Sequence, residues 1–308
     1  MKKNISCALF VLAAMLWGFA FSAQKEAGQV PAFTVGAVRN IFATVFLLIV
    51  IPFLDKLSRN GRCLIRNRKP DFNFYELVGG FICGTILTVA SAFQQVGLGE
   101  GTDAGKAAFI TALYVVIVPL IYAIFGKKSP LNVWISVAIA VVGFYLLCIK
   151  DDFTLGFSDA LVLICALIFA THIIAIDRFS PHCDGVRMSC IQFLTAFIMN
   201  SVLALIFESP VNFALICEKL PSLLYLGICS SGIAYTLQIV GQRHVNPAVA
   251  SIILSLESVF GVIGGALFHG EIMSEKEYFG CVIVFCAVIL AQISFPSKSS
   301  KNSSISKE

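Results

Sequence analysis

The chain has 308 residues, 58% of them hydrophobic and only 13% charged, with 22 Lys and Arg against 18 Asp and Glu for a net charge of +4. A typical soluble domain carries about a quarter charged residues, so this composition excludes one, and the apolar content excludes a disordered chain. No broad basic face is available for nucleic acid, which leaves a polytopic membrane protein whose first partner is the lipid bilayer.

A helix needs about 20 apolar residues to cross roughly 30 Å of hydrocarbon, and the chain offers ten such stretches. The first, 6–24, follows Lys2 and Lys3 and imitates a secretory signal, with Ala20 and Ser22 as small residues. Ahead of so many later spans it reads as an uncleaved helix entering from the cytoplasm. Four more follow at 33–53, 75–97, 104–125 and 131–149, then five at 157–176, 187–207, 220–240, 247–268 and 278–295. Backbone polar groups cannot stay unpaired in lipid, so segments this long are helices. A membrane β-barrel would use alternating segments about half as long. The predicted fold is all-α, with ten transmembrane helices in two inverted five-helix repeats, 1–150 and 151–296, followed by a polar tail at 297–308.

Charge placement sets the orientation. With the N-terminus inside, all of the Lys and Arg fall on the cytoplasmic side except Lys25, Lys106, Lys150, Lys219 and Lys276, which lie opposite, and Arg39, which lies within a span. The positive-inside rule then puts both termini in the cytoplasm of a plasma or inner membrane. The basic stretch 56–69 serves as a topology determinant in this reading.

The two halves resemble each other. Sliding 103–128 onto 246–271 matches Ala107 with Ala250, Ile110 with Ile253, Leu113 with Leu256 and Val116 with Val259. One register up, Gln94 meets Gln238 and Gly97 meets Gly241. Units with an odd number of spans must enter from opposite sides, a recurrent transporter design with the substrate site between the units.

Eleven cysteines lie mostly inside apolar runs, with no C-x-x-C spacing. They behave as small apolar residues, so neither a metal site nor a cofactor is expected. His172, His182, His244 and His269 fall in separate segments without H-E-x-x-H spacing, which removes the basis for an intramembrane metalloenzyme.

Several segments carry a family resemblance. Ala14-Met15-Leu16-Trp17-Gly18-Phe19-Ala20-Phe21, Arg39 with its following apolar run, and Ala107 to Val116 resemble successive parts of the EamA-type permeases of the drug/metabolite transporter superfamily. Ser255-Leu256-Glu257-Ser258-Val259-Phe260-Gly261 through Gly270-Glu271 is similar to that family's L-E-P-V-F-x…G-E element. Ser258 replaces the usual proline, so a kink expected there lacks its usual cause. The resemblance implies a secondary, non-ATP transporter of small metabolites such as amino acids, exporting by alternating access. Broad-specificity efflux of drugs or amines is the alternative within transport, and a non-transporting scaffold or receptor the alternative outside it.

Glu257 is the leading functional candidate. An ionised carboxylate at the bilayer centre costs on the order of 3 kcal/mol, so it faces a cavity, takes up a proton, or is held by a neighbouring helix. The first two options make it a substrate or proton-coupling group. Tyr114 occupies the equivalent repeat position, with Thr111 three residues earlier on the same face. Ser231, Tyr235, Gln238 and Gln242 form a polar stripe on the eighth span, mirrored by Gly84, Thr88, Ser91 and Gln95 on the third. Such stripes line a hydrated passage or bond neighbouring helices. Arg39 either snorkels or holds an anionic group, and Trp17 is either cavity wall or packing. His172 and Asn200 read as polar groups satisfied within the bundle, and Glu271 as a turn residue. Gly80 and Gly84, Gly261 and Gly265, and the ridge Ala104, Ala108 and Ala112 allow close helix crossings, within a monomer or a homodimer.

Overall fold

The computed structural model describes residues 3–59, 73–102, 104–127, 129–148, 156–269 and 273–293. Among them every regular element is helical. Most of the basic 56–69 stretch, Glu271 and the polar tail lie outside the described residues. The first half supplies α1 (Lys3–Glu26), α2 (Ala32–Arg59), α3 (Phe74–Gly99), α4 (Ala104–Ala112), α5 (Tyr114–Ile124) and α6 (Leu131–Cys148). The second supplies α7 (Phe157–Phe179), α8 (Gly185–Phe207), a short α9 (Phe213–Glu218), α10 (Leu220–Tyr225), a π-helical stretch Leu226–Tyr235, α11 (Thr236–Gln242), α12 (Pro247–Leu254), α13 (Glu257–His269) and α14 (Glu275–Gln292).

Apolar length drives these helices. At 1.5 Å per residue the 24 residues of α1 reach about 36 Å, enough to cross the hydrocarbon. Among the described residues eight segments have the length and composition to cross a membrane, and Leu131–Leu147 is a shorter apolar helix. The sequence predicts ten. The tenth, α14, opens on Glu275, Lys276 and Glu277, charges that leave it too little uninterrupted apolar length to count among the eight.

The most extensive helix pairs are α6 with α14, α2 with α8, and α3 with α7. Next come α3 with α8 and α1 with α13, and α1 also packs along the π-helical stretch and α11. Exchanging the halves maps these pairs onto one another, with α1 packing more extensively on α13 than α7 does on α5. The pairs α2–α8 and α6–α14 map onto themselves, while α3 on α7 becomes the π-helical stretch and α11 on α1. The halves are therefore two copies of one helical unit, each packed mainly against the other.

Glycines make the close crossings possible. Gly80 and Gly84 admit α8 within the chain, so a Cβ on Gly84 would stand 2.5 Å from the Gln192 carbonyl oxygen. Gly18 does the same for α13: its Cβ would lie 2.7 Å from the Phe260 carbonyl carbon and 2.8 Å from the Glu257 carbonyl oxygen. Backbone atoms cannot step aside, and overpacking costs about 1–3 kcal/mol. Gly18→Ala is expected to lower the thermal midpoint in detergent by several degrees. Gly261→Ala, whose tightest contact is the Phe21 ring at 3.2 Å, should lower it less. Equal midpoints for the two variants would show that the α1–α13 crossing is not tight.

The two ends of the bundle differ. Glu208, just past α8, accepts the backbone amides of Phe33 and Thr34 at 2.7 Å each, capping α2 where it follows α1. At the opposite end the α7–α8 hairpin is clamped by the first unit. Glu76 accepts the Asp184 amide at 2.9 Å, and Asn73 donates to the His182 carbonyl at 3.1 Å. Tyr122 bonds Asp177, and Arg243 of the second unit donates to the Cys183 carbonyl.

Candidate functional site

Three irregularities in the helices shape the centre of the bundle. The fourth predicted span is broken at Leu113, between α4 and α5, where the Leu113 amide turns back to the Ile110 carbonyl. The ninth is broken at Ser255 and Leu256, where the Leu256 amide turns back to the Ile253 carbonyl. These are equivalent repeat positions, and both breaks form without proline. At the second, Ser251 and Ser255 donate their hydroxyls to the Ala248 and Ile252 carbonyls at 2.9 and 2.7 Å, offering those carbonyls an alternative to the regular ladder. The third irregularity is the π-helical stretch, a form often found at functional sites. Gly227 within it lets α2 approach, a Cβ there standing 2.9 Å from the Arg39 carbonyl oxygen.

The breaks bring Tyr114 and Glu257, the first residues of α5 and α13, face to face. The Tyr114 hydroxyl donates to Glu257 Oε1 at 3.1 Å. A hydrogen bond to a charged group contributes about 1.5–3 kcal/mol. The N-terminus of α13 also favours negative charge on Glu257. Arg39 enters from α2, its Nε donating to Ser231 Oγ at 3.0 Å and its Nη2 to Ser230 Oγ at 3.2 Å. Among the described residues it has no carboxylate within ion-pair distance. The Trp17 indole donates to the Ser230 carbonyl at 3.0 Å, and its ring centroid lies 4.6 Å from that of Tyr235.

These groups surround a cavity of about 80 Å³, several times the roughly 10–15 Å³ that one water centre needs. Glu257, Tyr114, Thr111, Tyr235, Gln238, Arg39 and Trp17 all line it. Gln95 does not. It lines an adjoining space of about 30 Å³ with Phe33, Asn200 and Arg39, while its neighbour Gln94 borders both spaces and donates to Thr111 at 3.2 Å. Gln24 also borders both and Ala32 the smaller, so the cavity extends toward the turn where α1 meets α2.

Some lining residues carry a different signal in the sequence. Gln94 was visible as the repeat partner of Gln238, yet the stripe spacing on the third span selects Gln95. Ser230 was hidden because the π-helical stretch winds at a different period from the one that selects Ser231. His172 lines the cavity as well as being held at 3.2 Å by Gln192 Oε1, with its ring edge-on to Tyr235 at 5.9 Å. Deeper than Gln238, the Gln242 Nε2 donates to the Ile173 carbonyl at 2.9 Å. Thr88 turns back on the Gly84 carbonyl of its own helix. No group of three His, Cys, Asp or Glu side chains gathers for a metal among the described residues.

A polar cavity held between two copies of a helical membrane unit, with interrupted helices at its centre, is transporter architecture. The model of the EamA-like transporter family matches residues 4–149 and again residues 156–292, and the chain belongs to that family. An uncharacterized transporter of Archaeoglobus fulgidus is 29% identical over 288 residues, covering 92% of this chain and 84% of that protein. The uncharacterized inner membrane transporter YedA of Escherichia coli is 23% identical over 223 residues, covering 69% of this chain and 71% of its own. A crystal structure superposes with a TM-score of 0.76 at 15% identity, covering 95% of this chain and 97% of the other. That likeness establishes the shared fold. The protein is a multi-pass membrane transporter.

Proposed function

We propose that the chain is a secondary exporter of small zwitterionic metabolites such as amino acids, coupled to protons through Glu257 and residing in the plasma or inner membrane with both termini in the cytoplasm. The observation that carries this reading is a cavity in which Arg39 and Glu257 are both present and not paired with each other. A guanidinium fork suits a carboxylate. A carboxylate in a cavity also lined by the Tyr114 and Trp17 rings suits an ammonium. One cargo carrying both charges would satisfy both groups. Arg39 also weighs against a broad-specificity amine exporter, because a fixed cation repels a lipophilic one.

With the termini inside, the cavity extends toward the outer face, the state from which an exporter releases cargo and accepts a proton. Domain limits of 1–150 and 151–296 follow from the same reading, with the two units moving against each other and no step of catalysis involved. The test uses purified protein in liposomes loaded with radiolabelled amino acids, with and without an imposed pH gradient. Efflux of a zwitterion above empty vesicles, accelerated by the gradient, is the expected result. Flux of simple amines alone would replace this reading with the efflux alternative, and no flux of any cargo would favour a scaffold.

A further inference from the structure

Below the cavity, on α8 and α11, three buried glutamines each carry an amide atom that no described residue engages: Gln192 Nε2, Gln238 Oε1 and Gln242 Oε1. None of the three side chains is more than 2% exposed. Gln238 borders the cavity, and Gln242 lies one turn further along the same helix. Arg243 Nε and Ser180 Oγ come next, likewise buried and unengaged, at the end of the bundle clamped by Glu76 and Asn73. Only Ser6 and Ser258 hold other such atoms among the described residues. The unengaged groups thus trace a line from the cavity floor to the clamped end.

An amide sealed in a packed interior costs free energy unless both of its ends are bonded. Beside this line Cys83, Ile176, Met188 and Ile239 form one buried apolar cluster, and the buried hydroxyls of Ser189 and Thr236 bond each other at 2.7 Å. Leu or Met would fill such positions better if the region stayed shut. The half-bonded amides make sense if the line opens in another state of the bundle and its polar atoms then meet water and cargo.

We propose that Gln192, Gln238 and Gln242 line the half of the passage that is closed in this structure and bind the charged ends of a small zwitterion on its way to the cavity. This rests on the cavity being the substrate site. Opening the line requires release of the Glu76–Asp184, Asn73–His182 and Arg243–Cys183 contacts, so these bonds form the gate on that side.

Gln242→Leu separates the possibilities, because Gln242 lies outside the cavity that holds the cargo. The variant is reconstituted and assayed for flux of a radiolabelled mixture of the protein amino acids. Its melting temperature is also followed with and without that mixture unlabelled. Flux is expected to fall at least tenfold, while the melting temperature of the free protein stays level or rises and its increase on adding amino acids persists. A purely structural amide predicts the opposite, a lower melting temperature with flux per folded molecule unchanged, and that result overturns the proposal. Should Gln242→Leu not fold, Gln242→Met is measured in the same way. Failure of both to fold also overturns it, because the amide is then needed for the bundle itself. If the unsubstituted protein shows neither flux nor a melting shift, the cavity reading fails, and this inference with it. If that protein transports and the variant transports equally, only this inference fails.

Discussion

Arg39→Met is expected to stabilise the protein while weakening its hold on cargo at least tenfold. The guanidinium is bonded to two serine hydroxyls and, among the described residues, has no carboxylate within ion-pair distance. A cation within the membrane costs about 2.5–3.5 kcal/mol on insertion scales, and two neutral hydroxyls offset only part of that. Met has a similar length, no charge to desolvate and a flexible shape that fills gaps. Stability and function therefore pull in opposite directions here, as they do where a site is built for a missing partner. If Arg39 anchors a carboxylate, losing its charge-assisted bonds removes about 1.5–3 kcal/mol of binding, roughly a 10- to 100-fold change in affinity. Melting curves and concentration-dependent flux read the two effects separately. Arg39→Lys should restore part of the affinity, since a point charge without the planar fork is an incomplete substitute. A lower melting temperature with unchanged half-saturation would assign Arg39 to the scaffold.

Glu257→Gln should leave a folded protein whose flux no longer responds to a pH gradient. The amide oxygen of Gln can still accept from the Tyr114 hydroxyl, now 3.1 Å from the carboxylate, so the contact between α5 and α13 survives. What is lost is a negative charge and a site for an exchangeable proton. Charged hydrogen bonds are about twice as strong as neutral ones, so half-saturation for a zwitterion should rise roughly tenfold. Tyr114→Phe, which removes the donor and keeps the charge, should preserve gradient dependence. A Glu257→Gln variant that still responds to the gradient would move proton coupling to another residue.

The spans were readable because hydrocarbon thickness leaves little freedom: α1, α2, α3, α7 and α8 all overlap the apolar runs that predict them. The interruptions were not. Pro52 and Pro119 sit inside helices that continue through them, whereas the breaks fall at Leu113 and at Ser255–Leu256, where no proline stands. The cue available in sequence was the pair Ser251 and Ser255, one turn apart, whose hydroxyls compete for helix carbonyls. Tyr114 and Glu257 could be placed on equivalent positions by alignment of the halves, but their meeting required both breaks at once. Gln95 against Gln94 is a smaller case of the same kind, since spacing along one helix does not say which neighbour faces which space.

The exchange relation among the packed helices bears on ancestry. Two separate copies of an identical five-span chain would meet at the centre with the same residue on both sides, either two phenols or two acids. Two acids would repel and two phenols would carry no charge. One continuous chain is free of that restriction, and here Tyr114 and Glu257 are a donor and an acceptor that bond each other. The centre of the bundle is therefore chemically unlike on its two sides, an asymmetry that a strictly twofold pair could not build at this spot.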